Sequence, residues 1–320
     1  MNKKIFSSIL FAAAMTASTL AFANETVLEI PITQHSVKYI SNVVYEQVPS
    51  RGFANVPMKM DVMVPDVKEK APAIVFVTGG GFINANKDNY LQQRMFMANN
   101  GYVVASIEYR VAPTATFPQP LEDVKAAIRY LRANATKFNV DAEHIGLFGG
   151  SAGGYLVGIA GTTNGLTQFD KGENLEVSSE VQAVVDIYGI SDLTRIGMDY
   201  DAENQKRHTS PGATEALWVL GSPVFGGVDG GILNNPEKVK AAQPINYITK
   251  KTPPYLIMAG TDDKVVSPSQ SNILYDALKA KGVDATLYKV KNAAHGGVYW
   301  VQPEITKLVL DFFDKHLKNK

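Results

Sequence analysis

The residues best suited to chemistry are Gly149-Gly150-Ser151-Ala152-Gly153, a serine held between glycines where the apolar run Ile145 to Phe148 gives way to a helical pattern. A strand-serine-helix junction of this kind is a nucleophile elbow. The sharp turn lifts the hydroxyl above the sheet edge, and Gly149 and Gly153 leave room for neighbouring backbone. A serine hydroxyl is a poor nucleophile near neutral pH unless a base takes its proton, and a histidine oriented by a carboxylate suits that task. On this kind of sheet the chain order is serine, then acid, then histidine.

Three histidines follow Ser151, namely His208, His295 and His316. His208 falls in a long stretch without strand character, and His316 sits among Phe312, Phe313 and Leu317 on a terminal helix. His295 instead lies in the small-residue loop Asn292 to Gly297, just beyond a strand ending at Val290. Such a loop can carry an imidazole over the elbow, so His295 is the expected base. For the acid, the run Tyr255 to Ala259 ends in Gly260-Thr261-Asp262-Asp263-Lys264. One aspartate must face His295 while the other caps the turn or meets solvent, where Lys264 neutralises it; spacing does not choose between them. Asp186, near the end of an earlier strand, is a lesser candidate that also fits as a turn cap.

Attack on a carbonyl places negative charge on its oxygen, which calls for preorganised N–H donors. Thr78-Gly79-Gly80-Gly81-Phe82 follows the apolar run Ala73 to Val77, so its amides are expected to face the elbow beside the N–H of Ala152. The alternative is a merely flexible loop. No Gly-Lys-Ser/Thr closes this loop as a phosphate cradle would, and neither a dinucleotide fingerprint nor a metal-ligand cluster is evident. No cofactor is expected.

These groups need a scaffold. Val43 to Val48 and Met58 to Val64 read as an antiparallel opening pair. Buried-strand runs follow at Ala73 to Val77, Tyr102 to Ile107, Ile145 to Phe148, Val184 to Ile187, Tyr255 to Ala259 and Thr286 to Val290. Helical periodicity fills the intervals at Tyr90 to Asn99, Leu121 to Asn134, Ala152 to Thr162, Ser269 to Lys281 and Pro303 to Leu317. Alternation of this kind predicts an α/β fold with a mostly parallel central sheet and helices on both faces. Two stretches break the rhythm, Gly161 to Glu180 and Gly189 to Gln243, and loops of that length are usually functional or mobile. The second is expected to be a lid-like insertion near the substrate. Phe82, Tyr155, Trp218 and Trp300 fit equally as pocket lining or as core.

The chain has 320 residues, is 45% hydrophobic, and balances 31 basic against 31 acidic side chains. That is enough apolar material for one large domain, and no charge excess favours nucleic acid or an anionic membrane; a small or neutral partner is expected. A basic start at Lys3 and Lys4, an uncharged stretch from Ile5 to Leu20 and Ala21-Phe22-Ala23 read as a secretory leader cleaved after Ala23. The domain then spans residues 24–320. An uncleaved anchor is the alternative, but Ser7, Ser8, Thr16, Ser18 and Thr19 weaken lipid insertion. The chain has no cysteine, so neither disulfides nor a lipid-modified cysteine is available, and a product without a membrane anchor, in the periplasm or outside, is expected.

Thr78 to Phe82, Glu108-Tyr109-Arg110-Val111-Ala112-Pro113, Phe117-Pro118, Glu122-Asp123-Val124, the elbow, Asp263 and His295 occur in register. With that set the chain resembles the α/β-hydrolase superfamily over nearly its whole length past the leader. Within it the chain looks most like secreted carboxylesterases grouped with bacterial feruloyl and acetyl xylan esterases, and it shares motifs with the hormone-sensitive-lipase group. The resemblance implies an ester hydrolase without cofactor. It also implies a Gly-x-x-Asp-x-x-Val segment, matched by Gly260, Asp263 and Val266, which selects Asp263 as the acid, and it matches His295 to the family histidine. Two positions depart from it: Thr78 stands where the family has histidine, and Ser267 where it has proline. Thr78 is expected to steady the loop by donating a hydrogen bond. An exopeptidase, a lipase and a non-enzymatic binding protein are the competing readings on the same scaffold.

Overall fold

The computed structural model describes residues 26–50 and 52–318, so the leader read in residues 1–23 lies outside the described residues. The chain divides into two units, Met1–Thr33 and Gln34–Lys320. In the first, residues 26–33 carry no regular secondary structure. The second opens on β1 (Val37–Ser50) and β2 (Phe53–Pro65), which pair antiparallel as expected. It continues through β3 (Ala71–Val77), β4 (Val103–Ile107), β5 (Val140–Gly150), β6 (Ala183–Ile187), β7 (Tyr255–Gly260) and β8 (Ala285–Val290).

Among the described residues these strands form one sheet in the order β1-β2-β4-β3-β5-β6-β7-β8. β4, β3, β5, β6, β7 and β8 run parallel, and β2 joins them antiparallel through β4. The uninterrupted apolar runs have a direct cause. Ala73, Val75 and Val77 of β3 enter one core cluster and Ile74 and Phe76 the other, so both faces are covered and a polar side chain is tolerated only where it finds a partner inside, as Ser106 of β4 does at the Lys87 carbonyl. The first cluster includes residues of α2 (Gln119–Ala133) and α3 (Ala152–Thr162), and α7 (Ser269–Ala280) adds Leu274 and Leu278. The second is closed by α1 (Leu91–Asn99) and α8 (Pro303–Leu317).

From β3 the chain moves to one side to form β4 and then returns on the other side of β3 as β5. Where connections diverge in this way, a crevice opens beyond the carboxyl ends of the two strands. The Thr78–Phe82 loop leaves β3 there, and Ser151 leaves β5.

The two long stretches prove more ordered than their composition suggests. Lys125, Arg129 and Arg132 share one face of α2, at helical spacing, and bind the 161–180 segment. Lys125 donates to the Thr163 carbonyl at 3.2 Å and to Ser179 at 3.3 Å; Arg129 reaches Asp170 at 3.0 Å and the Glu173 carbonyl at 3.2 Å; Arg132 reaches the Glu180 carbonyl at 2.9 Å. Burial pulls the Lys125 ammonium down to about 8. The 189–243 segment folds into α4 (Ala202–His208), α5 (Thr214–Leu220) and α6 (Pro236–Ala241) with short 3-10 turns. From α5, Trp218 is fully buried, its ring 4.6 Å from Phe82 and 6.1 Å from Tyr155. Phe82, Tyr155, Trp218 and Trp300 are therefore core residues, none more than 2% exposed.

One buried carboxyl opposes the fold. Glu46 of β1 is enclosed beside the turn at Gly172, and its Oε2 has no hydrogen-bond partner among the described residues. Burial, reinforced by the Asp123 carboxylate, pushes it up to about 7. The folded state thus holds this proton more tightly than the unfolded chain does, and the resulting stability is present below the unfolded value and lost as pH rises through about 7. Glu46→Gln is expected to raise the thermal midpoint at pH 8 and to leave it unchanged near pH 4. Melts of both proteins at the two pH values check this, and equal midpoints at pH 8 would rule it out.

Candidate active site

β5 ends at Gly150 and α3 begins at Ala152, leaving Ser151 alone to turn the chain, at φ 59° and ψ −126°. That left-handed backbone costs a non-glycine residue about 1–3 kcal/mol and persists only where the surroundings enforce it. Here they do. A Cβ on Gly149 would lie 2.4 Å from the Gly153 carbonyl oxygen, and one on Gly153 would lie 2.0 Å from that of Val77, so only glycines permit this close packing of elbow and β3.

His295 comes from the loop after β8, its Nε2 2.8 Å from Ser151 Oγ and its Nδ1 2.7 Å from Asp263 Oδ2. The tautomer that satisfies both contacts carries its proton on Nδ1 and accepts the serine proton at Nε2. Asp263 follows β7 and is 2% exposed; its other oxygen accepts the amides of Val265 at 2.8 Å and Val266 at 3.0 Å. Those bonds fix the carboxylate in one orientation toward the imidazole. Its neighbour Asp262 is exposed and takes its hydrogen bond from Thr261, at 2.9 Å, rather than from Lys264.

The other candidates stand elsewhere. His208, at the end of α4, contacts Glu215 at 2.6 Å, and His316 on α8 lies 3.7 Å from Asp284. Asp186 is buried under α3 beside Gly154 and accepts the Gly189 amide at 2.9 Å, the turn-capping role; burial pushes its carboxyl up to about 7.

The loop after β3 packs on the elbow, since a Cβ on Gly79 would lie 2.9 Å from Ser151 Cβ. The Gly80 carbonyl accepts from Ile83 and Asn84, both at 3.1 Å, while the amides of Gly80 and Gly81 donate to no backbone acceptor among the described residues. Ala152, first in α3, has its amide outside the helix's own bonds. Thr78 corrects one expectation. Its hydroxyl is buried without a hydrogen-bond partner among the described residues, because the short side chain is enclosed before it reaches an acceptor. The loop is steadied through the Thr78 carbonyl, which accepts from the Tyr109 hydroxyl at 2.8 Å.

Several supporting residues gave no signal in the sequence. Asp199, from the 189–243 segment, accepts from Ser267 Oγ at 2.5 Å, from Ser269 Oγ at 2.6 Å and from the Ser269 amide at 2.9 Å. The Ser267 amide donates to the Ile196 carbonyl at 3.0 Å, a bond the family's proline lacks the N–H to make. Tyr200 donates to the Asp263 carbonyl at 3.3 Å. Part of the 189–243 segment therefore braces the stretch that carries Asp263. The Tyr188 ring lies 4.6 Å from the His295 ring, a contact invisible to any local pattern. Among the described residues no cluster of His, Cys, Asp or Glu is arranged to hold a metal, and no helix is long and apolar enough to cross a membrane.

Similarity to known proteins agrees with this architecture. Over 229 residues the chain is 32% identical to esterase LipC of Mycobacterium tuberculosis, covering 71% of this chain and 53% of LipC. The chain spans about half the length of the curated relatives it matches. A truncated carbohydrate esterase from gut microbiota superposes with a TM-score of 0.76 at 29% identity, covering 89% of this chain and 98% of that one. An acetyl ester-xyloside bifunctional hydrolase from Caldicellulosiruptor lactoaceticus superposes with a TM-score of 0.65 at 26% identity, covering 83% of this chain and 89% of that one. The BD-FAE family pattern matches residues 60–278, more than half of the chain, from β2 through most of α7. With its mostly parallel sheet, its elbow and that match, this chain belongs to the BD-FAE family, within the α/β-hydrolases.

Proposed function

We propose that this protein is a serine carboxylesterase acting on acetyl or feruloyl esters carried by plant polysaccharides. The observation that carries the reading is the unbroken path Ser151 Oγ, His295, Asp263, at 2.8 and 2.7 Å, beside amides free to bind an oxyanion. The names of the relatives, esterases and carbohydrate esterases, support it.

In this mechanism Ser151 Oγ bonds to the ester carbonyl carbon as its proton passes to His295 Nε2. The carbonyl π pair moves to oxygen, where the amides of Gly80, Gly81 and Ala152 take the charge. Asp263 holds the imidazole and stabilises its cation. Collapse expels the alcohol with the proton from His295, leaving an acyl-enzyme. Water, deprotonated by the same histidine, then releases the acid. Export through the leader in residues 1–23, and a role for the insertion 189–243 in shaping the substrate site, belong to the same proposal.

A substrate panel tests it. Acetylated and feruloylated xylo-oligosaccharides are expected to be cleaved with kcat/KM at least about tenfold above long-chain aliphatic esters and dipeptides. Preferred cleavage of long-chain esters would make the protein a lipase, and preferred cleavage of peptides an exopeptidase.

A further inference from the structure

Eight described residues other than glycine hold a positive φ. Four are asparagines (Asn42, Asn139, Asn174 and Asn292), the residue type that tolerates this backbone best after glycine. The other four are Phe82, Tyr90, Ser151 and Tyr188. Phe82 closes the oxyanion loop and Ser151 is the nucleophile of the proposed reaction. Strain in bulky residues collects where the surroundings over-determine a geometry, so the two tyrosines call for an account.

Tyr188 stands directly after β6, with φ 46°, and its ring lies 4.6 Å from the His295 imidazole and 4.8 Å from Trp300. Trp300 in turn donates its indole N–H to the carbonyl of Ala294, the residue before the histidine, at 3.0 Å. The Tyr188 hydroxyl lies against Gly150 of the elbow, 3.3 Å from where a Cβ would stand there, and a Cβ on Gly79 would lie 2.7 Å from the Gly150 carbonyl oxygen. A Cβ on Gly79 would lie 3.1 Å from the Tyr90 hydroxyl and 2.9 Å from Ser151 Cβ, so this oxygen sits close beside the nucleophile. Burial raises both phenols above their ordinary value, which keeps both hydroxyls protonated in the neutral range.

We infer that Tyr90 and Tyr188 are a pair of positioning residues that couple the base to the oxyanion loop. One line of close approaches runs from the imidazole to the Tyr188 ring, from Tyr188 to Gly150, from Gly150 to Gly79 and on to the Tyr90 hydroxyl. Where the histidine stands and where the oxyanion donors stand are therefore set together. The pair rests on the esterase reading and adds to it a link between its two halves.

Tyr90→Phe and Tyr188→Phe remove one oxygen each and leave the ring packing, including the 5.4 Å contact of Tyr90 with Phe76. With p-nitrophenyl acetate, each is expected to lower kcat about tenfold with KM within about twofold, because misplaced donors weaken the transition state more than the ground state. Affinity for a trifluoromethyl ketone, which forms a tetrahedral adduct, should fall by the same factor. The double variant should be no worse than the poorer single one, since either change breaks the same line. Single variants at the wild-type rate, losses that multiply in the double variant, or a rise in KM at constant kcat would each overturn the pairing. Ser151→Ala run alongside separates the two readings: if it keeps its turnover the esterase reading fails, whereas an inactive Ser151→Ala with fully active tyrosine variants defeats the pair alone.

Discussion

Ser151→Ala is expected to lower kcat for p-nitrophenyl acetate by at least about 10⁴-fold while the circular dichroism spectrum and thermal midpoint stay at their wild-type values. The substitution removes one oxygen. Alanine bears the left-handed backbone at this position no worse than serine does, and the glycine contacts that enforce the turn are untouched. His295 loses its partner at Nε2, but its side chain is 16% exposed, so water can take that place without leaving a dry unpaired nitrogen. What survives is the set of backbone donors and the binding site, which still act on a bound ester but no longer supply an attacking atom. Retention of a tenth or more of the turnover in the purified variant would exclude Ser151 as nucleophile.

The second large effect separates two adjacent aspartates. Asp263→Asn should cost about 10⁴-fold in kcat, whereas Asp262→Asn should stay within about twofold. An amide at 263 can still accept the Val265 and Val266 amides through its oxygen, so its nitrogen is turned toward His295 Nδ1. That nitrogen donates, which forces Nδ1 to accept and places the ring proton on Nε2, where it blocks proton transfer from Ser151. Asp262 is exposed and bonded to Thr261, so its charge is screened and its loss changes little. Parallel kinetics of the two variants give the answer, and equal losses would show that the acid is misassigned.

The parts of this molecule that could be read locally share one property. Each is written within a few residues of itself. Ile145 to Phe148 marks a strand because two-sided burial demands apolar residues without interruption, although β5 extends to Val140–Gly150. That extension includes a pairing of Val140 with Ala71 of β3, which no short window contains. The helices α4, α5 and α6 leave no local signal: at seven, seven and six residues they complete too few turns for periodicity to show. The 161–180 segment reads as loose in the sequence for a related reason, since the cations that hold it lie on α2.

Residue types and their order are enough to predict an α/β fold with a mostly parallel sheet, a serine on an elbow and a histidine on a late loop, because turns and amphipathic periods are imposed by neighbours in the chain; the α/β-hydrolase likeness rests on the set of motifs in register. Choosing between Asp262 and Asp263 by physical means, assigning Trp218 to the core and joining Tyr90 to Tyr188 all required the folded chain. The imidazole meets its serine across 144 positions and its aspartate across 32. Contacts at such separations arise from how the sheet and helices pack, and nothing in the local run of residues encodes that packing.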